Sequence, residues 1–497
     1  MCSPPPKKKK NFLYFSFHIV MSSNIIALFI AEFDVRSGYK LVHQEAKIAG
    51  FDFDGLEYKV LPSGIQEFGT STVLFSHWFQ GKVYYGLSKY YQYIIGDDSR
   101  DRNNVKMFAM GVLCEPKPSV WKPNEFIDNG WEYADAIHQK LVSFVHLGEY
   151  VGLKGIPKVV PNVDNHLLTN LPEMFRSLGP LVFVLYKQSL LRKRILIFNQ
   201  HHKSYDDQDI LPSGVDNLYN ISSFCYLISL LSVVPQEIDF VEAPTYSQPV
   251  YQIGLTDMGG ELLKCRGYIG STNDDILKDN AVYDIGVIID EHAKVFDYAQ
   301  QPLRATNKDY QKFGLIYLEL PRTRDGFTNS SGISADDLSS IRSDVSKDFS
   351  GGVVGDTPSW WKTDATEPVS WTESIWSAFS WFATAGQYGD VPQPPHVPDK
   401  VDLVDLVNIV GYFHKLTKKW FYMINEAVLE VWDDQASTDD QPLTRRICLE
   451  LTYQDVVEME LDPYSNADLE FLKQFVLLYW EVVDSVEIGM GLNSICC

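Results

Sequence analysis

From Asn24 onward the apolar positions fall into short blocks separated by turn residues. Ile25–Phe33 is a nearly continuous apolar run suited to a central strand, and Asp34–Gly38 ("DVRSG") is a turn cluster. Leu56–Gly64 ("LEYKVLPSG") alternates and breaks at Pro-Ser-Gly, which predicts a further strand. "STVLFSHWF" and "GKVYYGLSKYY" predict a hairpin around Gln80-Gly81, and Val105–Cys114 another strand. Glu132–Tyr150 then switches to helical spacing, with Ala136, Leu141 and Val145 on one side. These elements make a mostly antiparallel lobe over 22–150, followed by a Pro- and Asn-rich connector, 151–172.

A second lobe over 173–320 opens with "LGPLVFVLYKQSLLRKRILIF". Pro180 suits a first helical turn, and Arg192, Lys193 and Arg194 fall where that helix must end, beside its negative pole. "RILIF" is then a buried strand. "SSFCYLISLLSVV" reads as a buried helix, and "YQIGLTDM" and "VYDIGVIID" continue the α/β alternation to Asp290. Residues 321–399 change character. A Ser/Asp/Gly-rich stretch predicts loose order, and Trp360, Trp361, Trp371, Trp376 and Trp381 follow it before a Pro-rich spacer. From residue 400 to the end the pattern is mostly helical.

Composition narrows the chemistry. The chain has 497 residues, is 45% hydrophobic and carries a formal charge of −22, so general nucleic-acid binding is not expected. Its seven cysteines include no C-x-x-C pair or metal-ligand spacing, which fits a reducing cytosol and silent sequons at Asn220 and Asn329. There is no G-x-G-x-x-G after a strand, G-x-x-x-x-G-K-[ST], H-E-x-x-H or G-x-S-x-G. His201-His202 and Asp290-Glu291-His292 follow predicted strands, where polar residues are expected without a ligand. Asp433-Asp434 and Asp439-Asp440 lack the loop of spaced oxygen ligands that a cation needs. No catalytic, cofactor or metal residue is assigned.

The first 21 residues are an extension whose Lys7–Lys10 and following apolar run imitate a secretory signal. Met21 is expected to be the physiological start; the rival reading is a membrane-surface tag with Cys2 as acyl site. Further on, Trp371, Trp376, Phe379, Trp381 and Phe382 line one side of a helix over Ser370–Gly386 with a single charge, Glu373. That pattern predicts either a membrane-surface helix that inserts by apolar contact or a core helix docked on the lobes. Cys496 and Cys497 end the chain without C-a-a-X spacing, so the expected modification is S-palmitoylation, against two free thiols.

"LLRKRILIF" followed by "GYIGSTNDDILKDNAVYDIGVIID" (Gly267–Asp290) resembles the central segment of a DENN domain, and more specifically the LCHN-like family and its fungal relatives. "IIALFIAEFDVRSG", "VYYGLSKYY", "VKMFAMGVL" and "LTYQDVVEMELDP" support the resemblance by their order. It implies a longin-like antiparallel first lobe, an α/β second lobe and helices after them. It also implies guanine-nucleotide exchange on a Rab-type small GTPase, without covalent chemistry or cofactor, and a cytoplasmic protein peripheral on membranes or lipid droplets. The alternative is a non-catalytic membrane or lipid-droplet adaptor.

Overall fold

The structure is a computed structural model. It describes residues 25–95, 104–115, 126–157, 159, 163–199, 217–241, 245–280, 282–290, 292–319, 358–368, 403–436 and 446–489. The first lobe contributes strands β1 (Ile25–Asp34), β2 (Gly38–Ala46), β3 (Thr70–Phe79), β4 (Lys82–Ile94) and β5 (Val105–Cys114). They pair antiparallel throughout, in the order β3-β4-β5-β1-β2. The β3–β4 hairpin turns at Gln80 and Gly81, both at positive φ (50° and 74°), the conformation whose twist matches the flanking strands. In the second lobe β6 (Ile195–Phe198), β7 (Gln248–Gln252), β8 (Tyr268–Thr272) and β9 (Ile285–Ile288) form a parallel sheet. Antiparallel β10 (Lys294–Asp297) and β11 (Pro302–Leu303) extend it.

The two lobes share one sheet. β7 pairs with β3 through Phe75 and Tyr251, which joins the halves into 11 strands, β11-β10-β9-β6-β8-β7-β3-β4-β5-β1-β2. Central strands are apolar on both faces because both are covered. Leu28 and Ile30 of β1 enter a core beneath helices α2 (Ala134–Leu147), α3 (Leu171–Leu178), α4 (Leu181–Leu190) and α5 (Asn217–Leu231). Ala27, Phe29 and Ala31 enter a separate core on the opposite face, under residues 51–65. A third cluster, with Phe198, Tyr268 and Tyr283, backs the second lobe.

Leu56–Gly64 is corrected by the structure. Leu56–Val60 is a helical turn, α1, entered from Gly55 in the left-handed conformation. Leu56, Lys59 and Val60 face inward while Tyr58 is exposed. The i, i+3, i+4 set is buried, and the apparent alternation was the chance placement of Tyr58 between two core residues.

At the basic triplet, Arg192 stands at φ 56°, and Arg192 N and Lys193 N donate to the carbonyls of Ser189 (3.0 Å) and Gln188 (3.1 Å). These are the two bonds of a Schellman stop, with arginine where glycine is usual. Arg194 forks onto Asp284 (Nη2–Oδ1 2.7 Å, Nε–Oδ2 3.1 Å), locking the start of β6 to that of β9. Termination is therefore set by backbone geometry, and Arg194 anchors the following strand through a specific ion pair.

After α6 (Asn307–Glu319) and a short α7 (Trp360–Thr363) comes α8 (Leu403–Ala436). The C-terminal region also holds a parallel pair, β12 (Ile447–Thr452) and β13 (Val483–Gly489), connected through α9 (Tyr453–Glu458) and α10 (Asn466–Tyr479). Thr452 and Asp455 cap α9 reciprocally. This region packs onto the helix-side core: Phe413, Trp420, Phe475 and Trp480 belong to the same apolar cluster as Leu28 and Phe183.

Candidate functional site

The surface that both lobes build together lies where α1 and the turn after it meet the carboxyl ends of β7 and β8. In open α/β sheets those ends are the usual place for ligands. Lys59 of α1 is buried, donates to Ser76 O (2.8 Å) and pairs with Asp257 (2.7 Å) on the short helix after β7. Ser63 Oγ donates to Asp274 Oδ1 (3.0 Å), and Asn273 Nδ2 donates to Ser63 O (2.6 Å), both from the loop after β8. Ser76 Oγ donates to Val250 O (2.9 Å) beside the strand junction, and Asn129 Nδ2 to the hydroxyl of Tyr251 (2.9 Å). The seam is thus pinned by hydroxyls, amides and one ion pair.

Around it, large side chains are left in solvent. Tyr39 and Tyr58 lie ring against ring at 5.3 Å, and both are exposed, as are Leu255 and Ile276 on the second-lobe helices that carry Asp257 and follow Asp274. Burial, with Asp274 and Tyr58 adding to it, raises the pKa of Tyr39. His77, under the seam, is pushed down by burial and by Lys59, and its Nε2 lies 2.7 Å from Asp52 O. The surface has the composition of a protein contact: aromatic and aliphatic centres with a polar rim that includes Asp274 and Asp275. Among the described residues no group of His, Cys, Asp and Glu is arranged to hold a metal ion.

A second polar assembly is fully interior. Lys187 of α4 contacts Asp309 of α6 (2.5 Å) and Asp468 of α10, and Lys312 contacts Asp309 (3.2 Å). Asp468 Oδ2 also accepts from Asp462 N (2.8 Å), and Lys312 donates to Glu460 O (2.9 Å). All four side chains are at least 93% buried. Burial opposes the charge on Lys187, but its two carboxylates outweigh it and raise its pKa. Asp309 is held below the usual carboxylate range against burial by its two lysines, whereas burial pushes Asp468 up. Two cations and two anions close the set, as a low-dielectric interior requires. One signal of it stood in the sequence: Lys187 is the single charge within "LVFVLYKQSL".

The residues assigned from sequence to membrane contact (Trp371, Trp376, Phe379, Trp381, Phe382) and to lipidation (Cys496, Cys497) lie outside the described residues, as do His201-His202 and Asp439-Asp440. His292 stacks on Trp360 (5.3 Å) and reaches Asp364 at 3.5 Å. Among the described residues no helix is long and apolar enough to cross a membrane.

A family model described as DENN domain-containing protein 11 matches residues 28–154 and 153–298, which are the two lobes. The chain belongs to that DENN family. The DENN match covers the shared sheet from within β1 to β10 and the seam between the lobes, and residues 394–496 match a domain of unknown function (DUF4484). The chain is similar to the uncharacterized protein ANR2 of Saccharomyces cerevisiae, at 22% identity over 95% of this chain and 94% of that one. It is also similar to DENN domain-containing protein 11 of Rattus norvegicus (21% identity, 59% of this chain and 64% of that one) and of Xenopus laevis (24%, 58% and 65%). The match thus spans just under two thirds of these animal relatives. The fungal relation expected from sequence fits the near full-length match to ANR2.

Proposed function

We propose that this DENN protein is a guanine-nucleotide exchange factor for a Rab-type small GTPase in membrane traffic, and that the GTPase sits across the seam between the lobes. One observation carries the placement: Tyr39, Tyr58, Leu255 and Ile276 are solvent-exposed around a junction to which both lobes contribute. Exchange makes and breaks no covalent bond in the factor. It needs a surface that holds the nucleotide-free GTPase more tightly than the loaded one, so that the differential affinity drives nucleotide and Mg²⁺ out. Aromatic side chains held at the rim of a rigid junction supply area at small entropic cost. The test is release of a fluorescent nucleotide across a panel of Rab proteins. Acceleration of one Rab by the full chain, and its loss in a Tyr39→Ala/Tyr58→Ala variant, is expected; no acceleration anywhere in the panel refutes the reading.

A second reading rests on the aromatic spacing of Trp371, Trp376, Phe379, Trp381 and Phe382 and on Cys496-Cys497. In it the chain is a cytoplasmic adaptor, peripheral on a membrane or lipid droplet, held by an apolar helix and by acyl chains on both cysteines. Flotation should weaken in a Trp371/Trp376/Trp381→Ala variant, and a hydroxylamine-sensitive mass shift should vanish in Cys496→Ser/Cys497→Ser. Equal flotation, or no shift in the wild type, removes the corresponding anchor.

A further inference from the structure

Composition placed residues 358–368 inside a loosely ordered linker, yet they pack against the second lobe by a set of directed contacts. Trp361 is 2% exposed, set edge-on to Phe313 (5.1 Å) and Tyr317 (4.9 Å) of α6. Its ring lies over Gly179, which follows α3, where an added Cβ would come within 2.5 Å of the indole. Trp360, also buried, stacks on His292. The backbone then joins the sheet margin. Ala305 N donates to Ala365 O and Glu367 N to Ala305 O, both at 2.8 Å, and Ala305 and Thr366 form a parallel bridge. Ala305 stands two residues beyond β11, the edge strand on this side. Lys362 reaches Asn307 Oδ1 (2.7 Å), and Glu367 accepts from Ser465 Oγ (2.6 Å).

This is the arrangement by which an extended peptide is recognised: backbone pairing at a sheet margin gives affinity, and side-chain pockets give specificity. Two adjacent tryptophans are the kind of anchor that dominates such contacts. The walls (Gly179, Phe313, Tyr317, Ala305) belong to elements seated in the lobe by their own packing. The ligand's anchors lie between Trp360 and Glu367. The sequence continues for 38 residues (320–357) on one side and 34 residues (369–402) on the other before the neighbouring described elements. We propose that the second lobe, together with Ser465 of the C-terminal region, carries a peptide-recognition groove for a tandem-tryptophan motif with a following acidic residue, and that this chain's own residues 358–368 are its ligand. The site is independent of the seam assigned to the GTPase. Tethering makes the intramolecular form dominant by raising the local concentration of the motif.

The test uses the full chain carrying Trp360→Ala/Trp361→Ala and a fluorescent peptide of residues 358–368. Saturable binding to this variant is expected, at least ten-fold tighter than to the wild type, whose groove is filled. A peptide with both tryptophans replaced, or a groove carrying the additional change Gly179→Val, should bind at least ten-fold more weakly. A folded variant that shows no saturable binding, or one that binds no better than the wild type, overturns the proposal. Should that variant not fold, protease sites placed within 320–357 and 369–402 of the wild type provide the alternative. After cleavage on both sides the fragment should co-elute with the body and be displaced by excess peptide. Immediate loss of the fragment, or no displacement, overturns it equally.

Discussion

Where the two lobes meet, the sheet crosses on a single backbone pair, Phe75 with Tyr251, reinforced by neutral bonds such as Ser76 to Val250 O and Asn129 to Tyr251. Where the second lobe meets the C-terminal region, two lysines and two aspartates are buried together, and Tyr186 of α4 donates to Phe413 O of α8 (3.0 Å). Both junctions are covered by the same helix-side core. They differ in what happens when one partner is lost. Most of the seam's bonds are neutral, and losing one gives up roughly 0.5–1.5 kcal/mol. Its one ion pair, Lys59 with Asp257, retains some contact with solvent and Lys59 also donates to Ser76 O, whereas the second junction loses part of a fully interior four-charge set. The second lobe and the C-terminal region are therefore bound as a unit, whereas the seam between the lobes keeps its outer rim free for a partner.

The largest effect should come from breaking the ionic junction. Lys187→Ala is expected to cost about 3–5 kcal/mol, because it strands Asp468 and half of Asp309. Replacing Lys187 and Asp468 together by Met and Leu should recover much of that loss. Chemical denaturation of the single and double variants reads both; a double variant as unstable as the single would show that the charges themselves are not the cause.

Acid should act on the same junction through His414, on α8. Its Nε2 lies 2.7 Å from Leu230 O of α5, and burial lowers its pKa to about 4 from an ordinary 6.5. An unfolded chain takes up this proton near pH 6.5 and the folded one only near pH 4. Between those values the unfolded state binds more protons, so stability falls as pH drops through the window, by about 3 kcal/mol in all. His414→Gln should flatten that part of the profile; an unchanged slope relative to wild type would contradict the assignment.

The first lobe was legible because its strands alternate or are bounded by Gly, Pro and Asn, and a hairpin turn such as Gln80-Gly81 has few solutions. The second lobe's helix-stop-strand unit at Arg192–Arg194 was equally plain. Three things were not. Lys59 sits inward because its partners, Ser76 and Asp257, are 17 and 198 positions away, so α1 reads as a strand until they are known. Asp309 and Asp468 look like ordinary surface acids on amphipathic helices, and only the fold brings them to Lys187. Trp360 and Trp361 share their composition with Trp371, Trp376 and Trp381, and nothing local marks the first pair as docked.

At the seam between the lobes the expected losses are smaller. Ser76→Ala removes one neutral bond and should cost about 1 kcal/mol in a denaturant series; a loss as large as that of Lys187→Ala would erase the contrast between the junctions. No larger should be the effect of Tyr39→Ala/Tyr58→Ala, at two residues that are 36% and 46% exposed and whose rings meet chiefly Phe33 and each other, with an expected change of about 1 kcal/mol. That small structural cost makes the pair useful, because any functional change in it belongs to the exposed surface.

Nucleotide release by a panel of Rab proteins, measured with the wild-type chain and with Tyr39→Ala/Tyr58→Ala at equal folded concentration, decides whether the exposed surface at the seam acts on a GTPase. The wild type should accelerate release from at least one Rab, and the variant, with a melting profile close to that of the wild type, should lose at least ten-fold of that acceleration. No acceleration by the wild type, or equal acceleration by both, would contradict that reading.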